Sequence, residues 1–234
     1  MSEFLAQVLM VGDGNVRGIG DEAGRGGFSG RIRTHYEDYA RHAKQTGAAC
    51  TDVLSTVHGE RTMHMVAYAR HIGRIAELAS MSPIAESQSL RRLGVLSVGY
   101  IYEGLLKRKG PQDCSWRWGD ALSLLRDNCR DAGITPILLE SPLPVEGAIY
   151  ADGEVPFAEF LGELNEKTQA HVEGWADYVA CDELFGDNKL ALMTSPETDG
   201  VHMNAAGHEV VTTELIHRIN ENLGIEGFDY PQEG

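Results

Sequence analysis

Positive charge is scarce in this chain of 234 residues. Lys and Arg number 20 against 35 Asp and Glu, for a formal net charge of −15. Phosphate backbones and anionic bilayers are met by clustered Lys and Arg, so this balance argues against a general nucleic-acid or lipid-surface binder. Long apolar runs are missing as well. No stretch approaches the ~18–20 uninterrupted apolar residues of a transmembrane helix. The first residues lack the basic flank, apolar core and cleavage site of a secretory leader, so a cytoplasmic chain is expected. Cysteine is sparse: Cys50, Cys114, Cys129 and Cys181 lie far apart with no CxxC pair. Buried free thiols in a reducing compartment are expected from that. No period of about 20–50 residues repeats, and nothing reads as a linker, so one domain is expected over residues 1–234. Gly224–Gly234 reads as a polar tail that frays.

What is present is an α/β pattern. Hydrophobic residues make up 42% of the chain, too many for a disordered one, and a domain of this length buries a core without disulfide or metal. Strand-like segments fall at Gln7–Val11, Thr51–Val57, Leu93–Val98, Ile134–Leu139 and Tyr178–Ala180. Between them, apolar residues at three- and four-residue spacing predict helices from Phe28 to about Lys44 and over Thr62–Ala79, Trp118–Ala132, Phe157–Thr168 and Ala205–Leu223. Gly133 is a candidate C-cap, and Pro142 and Pro144 close the strand before them. Five strands interleaved with helices predict a parallel sheet of about five strands covered on both faces, a three-layer α/β/α sandwich of flavodoxin-like type. Ligands of such sheets bind at the carboxyl ends of the strands, so the segments that follow each strand carry the functional reading.

The first strand runs into Val11-Gly12-Asp13-Gly14-Asn15-Val16-Arg17-Gly18. Its spacing matches neither GxGxxG nor GxxxxGK[ST], and a strand-to-helix turn is the plain reading. Near the C-terminus stands Asp199-Gly200-Val201-His202-Met203-Asn204. An Asp three residues before a His on one loop can reach the ring, fix its tautomer and stabilise its cation. Asn204 is a candidate N-cap for the helix that follows. Trp116, Trp118 and Trp175 read as packing residues, and Arg91-Arg92 and Lys107-Arg108-Lys109 as solvated charge.

From about Gln7 to Leu223 the chain resembles the SGNH, or GDSL, hydrolase superfamily of esterases, lipases and acyl- or acetyl-hydrolases. The segments that carry the resemblance are "VGDGNVRGIGDEAGRGGF", "DALSLLRDNCRDAGITPILLESPLP" and "DGVHMNAAGHEVV". The resemblance implies that His202 is the catalytic base and Asp199 its orienting carboxylate. It implies that the backbone N–H groups of Gly14 and of Gly59, in "STVHGER", are oxyanion donors. Gly14 falls on the family's nucleophilic serine, and Ile101, in "LSVGYIYEG", on its oxyanion Asn.

Glycine cannot attack an ester and isoleucine cannot donate a hydrogen bond. Loss of the nucleophile removes covalent catalysis, and loss of one oxyanion donor typically costs ~10²–10³ in rate. The expectation is therefore an esterase-like protein that is inactive or nearly so and binds a small ester, acyl or glycan-like ligand or a protein partner. The alternatives are an active hydrolase of small acyl or acetyl esters that uses His202-activated water, and an engineered Ser-to-Gly variant, which leaves Ile101 unexplained. Asp13, Asn15, His58, Tyr100 and Tyr102 are the further pocket candidates. No cofactor and no metal are expected, although His58 with His202 would be the residues to hold one. If the scaffold is a decayed esterase, Gly14→Ser is expected to place a hydroxyl within reach of His202.

Overall fold

Alternation along the first strand sets the layers. In β1 (Leu5–Gly12), Ala6, Val8 and Met10 pack into one apolar cluster, while Leu9 and Val11 pack into another on the opposite face. A strand buried on both faces has no polar side, which is why this segment reads as a continuous apolar run. The computed structural model describes residues 5–12, 14–47, 52–59, 90–97, 111–148 and 157–231. Five parallel strands lie in the order β2-β1-β3-β4-β5, where β2 is Asp52–Gly59, β3 Leu90–Ser97, β4 Ile134–Leu139 and β5 Asp177–Val179.

One face of the sheet is covered by α1 (Gly27–Thr46), through Phe28, Ile32 and Tyr36, and by the C-terminal helix. The other face is covered by α2 (Pro111–Asp131), through Trp118, Leu122 and Leu125, and by α3 (Phe157–Val172), through Phe160, Leu161 and Leu164. Two short helices follow β5, α4 (Cys181–Phe185) and α5 (Lys189–Leu192), and the last helix is α6 (Ala205–Leu223). This is the three-layer architecture of the flavodoxin-like class.

The strand order reverses between β1 and β3, the point at which such sheets open a crevice. There the backbones come close. A Cβ added to Gly12 would lie 2.6 Å from the Ser97 carbonyl oxygen, so only glycine lets β1 pass the end of β3.

Most element boundaries agree with the sequence pattern, and β4 and α6 match it residue for residue. Gly133 follows α2 with a φ of 62°, and Asn204 caps α6 by accepting from Gly207 N. α2 begins seven residues before Trp118, at Pro111, which suits a first helical position. α4 and α5, of five and four residues, are too short to show a helical period and were not expected. The helix predicted over 62–79 lies outside the described residues. Of the tail expected to fray from Gly224, the described part packs back at Phe228: its ring lies against His35, Tyr39 and His42, and its carbonyl accepts from Asn220 Nδ2 at 2.9 Å. Cys129 and Cys181 are buried free thiols. No helix among the described residues is long and apolar enough to cross a membrane.

Candidate active site

Two loops meet beyond the β1 end. The first runs from Gly14 to Gly26. It is folded on itself by Ile19 N donating to Gly14 O at 2.9 Å and Gly18 N donating to Asn15 O at 3.1 Å. The second, Thr194–Asn204, closes back through a bridge between Met193 and Met203 and a bond from Thr194 N to His202 O at 2.8 Å. Gly200 holds a φ of 67° in this loop and gives its carbonyl to Val145 N at 2.9 Å. The buried Asn15 joins the two loops, its Oδ1 accepting from Met203 N at 3.1 Å.

Asp199 and His202 stand at that junction. Nδ1 of His202 lies 2.8 Å from Asp199 Oδ2. The other carboxylate oxygen accepts from Val201 N at 2.8 Å, from His202 N at 3.1 Å and from the Thr194 hydroxyl. Burial works to raise this carboxyl, but the bonds from His202, Thr194 and the two backbone N–H groups outweigh it and hold it well below the usual carboxylate range. An ionised carboxylate only accepts, so Nδ1 carries a proton, and in the neutral ring Nε2 presents its lone pair.

That lone pair faces Gly14. A Cβ placed on Gly14 would lie 2.5 Å from His202 Nε2 and 3.0 Å from its Cδ2. Gly14 is not among the residues with positive φ, so its backbone conformation admits a side chain. It is the side chains around it that crowd one, the imidazole most closely and Ile19 Cδ1 at 3.0 Å. Gly14→Ser therefore brings its hydroxymethyl group up against His202, and the ring must shift to admit it.

Behind the site lies a second polar assembly that the sequence reading did not identify. His208, fully buried on α6, accepts from Phe28 N at 3.2 Å through Nδ1, and its Nε2 lies 3.3 Å from the Ile19 carbonyl, to which it donates. Burial pulls this ring down to about 4, so it stays neutral in that one tautomer. Arg31, also buried, donates to Asp21 at 2.7 and 3.2 Å and to Glu209 at 2.8 Å. Burial would raise the Asp21 carboxyl, but the Arg31 guanidinium and Gly27 N bring it down to about 2. These groups tie the Gly14–Gly26 loop to α1 and α6. Their only sequence signal is polar residues on otherwise apolar helical faces.

The remaining candidates separate. Gly59 ends β2 in register with Gly12, and His58 lies beside Val11, its side chain outside the described residues. Asp13, Tyr100, Ile101 and Tyr102 also lie outside them. Two serines of the neighbouring elements are no substitute nucleophile beside His202: Ser29 gives its hydroxyl to Val16 O at 2.6 Å, and Ser55 sits in β2 beside Val8. Trp118 and Trp175 are held by Thr168 and by the His171 carbonyl.

No protein-family model and no curated protein matches the sequence. Solved structures do match. One is a GDSL-like lipase from Bacteroides thetaiotaomicron, at 17% identity and a TM-score of 0.56, covering 93% of this chain and 88% of that one. Another is the psychrotrophic esterase EstA from a Pseudoalteromonas species, at 14% identity and a TM-score of 0.61, covering 93% and 98%. A third is an acetyl xylan esterase from Geobacillus stearothermophilus, at 14% identity and a TM-score of 0.58, covering 99% and 98%. The fold is SGNH/GDSL hydrolase-like.

Proposed function

We propose that this chain is an esterase-like protein that has given up covalent catalysis and retains its pocket end for recognition of a small ester, acyl or glycan-like ligand. The observation that carries the reading is the contact between Gly14 and His202. A working serine would need room for a hydroxymethyl group between backbone and imidazole, and here a Cβ alone would meet Nε2 at 2.5 Å. The ring fills the space in which an acyl-enzyme would be built. The test is hydrolysis of p-nitrophenyl acetate by the wild-type chain and by His202→Ala. Negligible turnover in both, with no burst, is expected. Turnover by the wild type at ~1–10³ s⁻¹, the range of ordinary enzymes, would overturn the reading.

One observation favours a second reading, a hydrolase in which His202 activates water. Asp199 is held ionised by four donors, and the imidazole keeps a free Nε2 lone pair. Those are the properties of a general base. Under this reading His202→Ala abolishes a measurable wild-type rate, whereas under the first it leaves the background unchanged.

A further inference from the structure

Glu140 follows β4 and is 8% exposed, yet among the described residues no cation bonds its carboxylate. Oε2 accepts from Asp182 N at 3.0 Å, a donor that favours the charged form. Oε1 lies a long 3.3 Å from the Tyr178 hydroxyl. The charged neighbours on α4, Asp182 and Glu183, are acids, and Lys189 on α5 is engaged by Asp182 at 2.6 Å. Burial, with the two acids adding to it, pushes the Glu140 carboxyl up from the ordinary 4.5 to about 7, the bonds from Asp182 N and Tyr178 offsetting only part. A buried anion without a counter-charge is costly.

A second oxygen at the same place is also unserved. Asn165, on α3, is 5% exposed, and its Nδ2 donates to the Ser141 carbonyl at 3.0 Å. That bond fixes the orientation of the amide, because a flipped group would set oxygen against oxygen. Asn165 Oδ1 is then buried with no hydrogen-bond partner among the described residues. Ser141 follows Glu140 directly, and the Tyr178 hydroxyl that reaches Glu140 also lies 3.4 Å from the Asn165 backbone carbonyl. The contacts therefore run in a ring, Glu140 to Tyr178 to Asn165 to Ser141. A neutral donor could serve the amide oxygen but would leave the charge of Glu140 unbalanced.

We propose that this ring binds one monovalent cation of sodium or potassium size, held by Glu140 Oε1 and Asn165 Oδ1 beside the Tyr178 hydroxyl oxygen. Hard cations take oxygen ligands. One carboxylate and two neutral oxygens balance a single charge and fall well short of the roughly six to eight oxygens that calcium takes. The bound ion braces the turn after β4, where Leu143 N donates to Asp182 at 3.1 Å and Val145 N donates to Gly200 O of the His202 loop at 2.9 Å.

Thermal melts of the intact chain at pH 8, where the carboxyl is ionised, test this in sodium, potassium and choline chloride at equal ionic strength. With sodium or potassium at ten times its Kd, the ratio of folded to unfolded chain should be about tenfold higher than in choline. Glu140→Gln keeps the shape and removes the charge, so it should erase the difference. Equal melting of the wild type in the three salts would overturn the proposal, and so would a sodium or potassium effect that persists in Glu140→Gln. Stronger stabilisation by calcium or magnesium at the same concentration would overturn the monovalent assignment. Should the variant fail to fold, the amide shift of Asp182, whose N–H bonds to Glu140, decides in the wild type. A saturating displacement by sodium or potassium but not by choline supports the site, and no displacement overturns it.

Discussion

Asp199 and Glu140 are two carboxyl groups partly or largely withdrawn from water, and they are driven in opposite directions. Burial opposes ionisation at both. Asp199 answers it with four donors, all supplied by the nine residues Thr194–His202 that curl around it. Glu140 has one donor at 3.0 Å and one at 3.3 Å, with two acids nearby. Donor supply and depth work together: Asp199, the more exposed of the two, keeps its charge on four donors, and the deeper Glu140 has fewer. The first region is arranged around a permanent anion that fixes an imidazole. The second leaves its carboxyl with fewer donors and with two other acids nearby.

Asp21 extends the first class, and its chief donor is a cation. Arg31→Met is expected to have the largest effect, because it leaves two carboxylates, Asp21 and Glu209, facing each other without their counter-charge. Breaking a buried pair in this way costs about 3–5 kcal/mol, or roughly 6–20 °C in Tm for a chain of this size. A variant that melts within about 1 kcal/mol of the parent would break the comparison, since donor-rich carboxylates would then not depend on their donors.

Gly14→Ser probes the imidazole that Asp199 holds. Overpacking of this kind costs about 1–3 kcal/mol, and the cost should largely vanish in a His202→Ala background because the colliding ring is gone. Thermal melts of the two single variants and the double variant give the coupling. If the serine is tolerated equally in both backgrounds, His202 does not occupy the space beside Gly14. No gain in ester hydrolysis is expected from Gly14→Ser alone.

The acid limb of stability belongs to the donor-rich class. Asp21 lies at about 2 in the folded chain against an ordinary 3.8. A depressed value contributes stability above the unfolded value and loses it as pH falls through the folded one, here about 2 kcal/mol between roughly pH 4 and 2. Asp199 adds to the same limb. Urea unfolding from pH 6 downward should therefore fall away steeply, and Asp21→Asn, less stable at pH 6, should show a shallower limb. An unchanged slope in the variant would remove Asp21 from the class.

The sequence made half of this comparison legible. Asp-x-x-His before a capped helix marks Asp199 and His202 by spacing alone, and the alternating apolar segments mark the sheet and its covering helices. The Thr194 donor lies five residues upstream of Asp199, across a turn that no short motif encodes. Glu140 follows a strand whose apolar run ends at Leu139, where a glutamate reads as the start of a solvated loop. Its burial depends on α4 folding back over β4, and that helix is too short to leave a periodic trace. Arg31 and His208 sit on helical faces whose apolar neighbours predict burial, but their partners are 10 and 180 residues away.

Tyr178→Phe should have the smallest effect and sharpens the comparison most finely. It strips Glu140 of the longer of its two carboxyl contacts, at 3.3 Å, and leaves the one from Asp182 N. A bond so far from ideal length contributes little, so the loss at pH 5 should be at or below about 0.5–1.5 kcal/mol, the net worth of an ordinary hydrogen bond. The direction of the titration is the informative part. With one donor fewer, the ionised form is served less well, so the midpoint of Glu140 should move further up. Removing Thr194 from Asp199 by Thr194→Val should leave that carboxyl still below its ordinary value, because three donors remain. Carboxyl ¹³C titrations of both variants make the comparison directly. A Glu140 midpoint that falls in Tyr178→Phe would mean that the tyrosine takes its hydrogen bond from the acid rather than giving one to the anion. Removing it would then destabilise the protonated form.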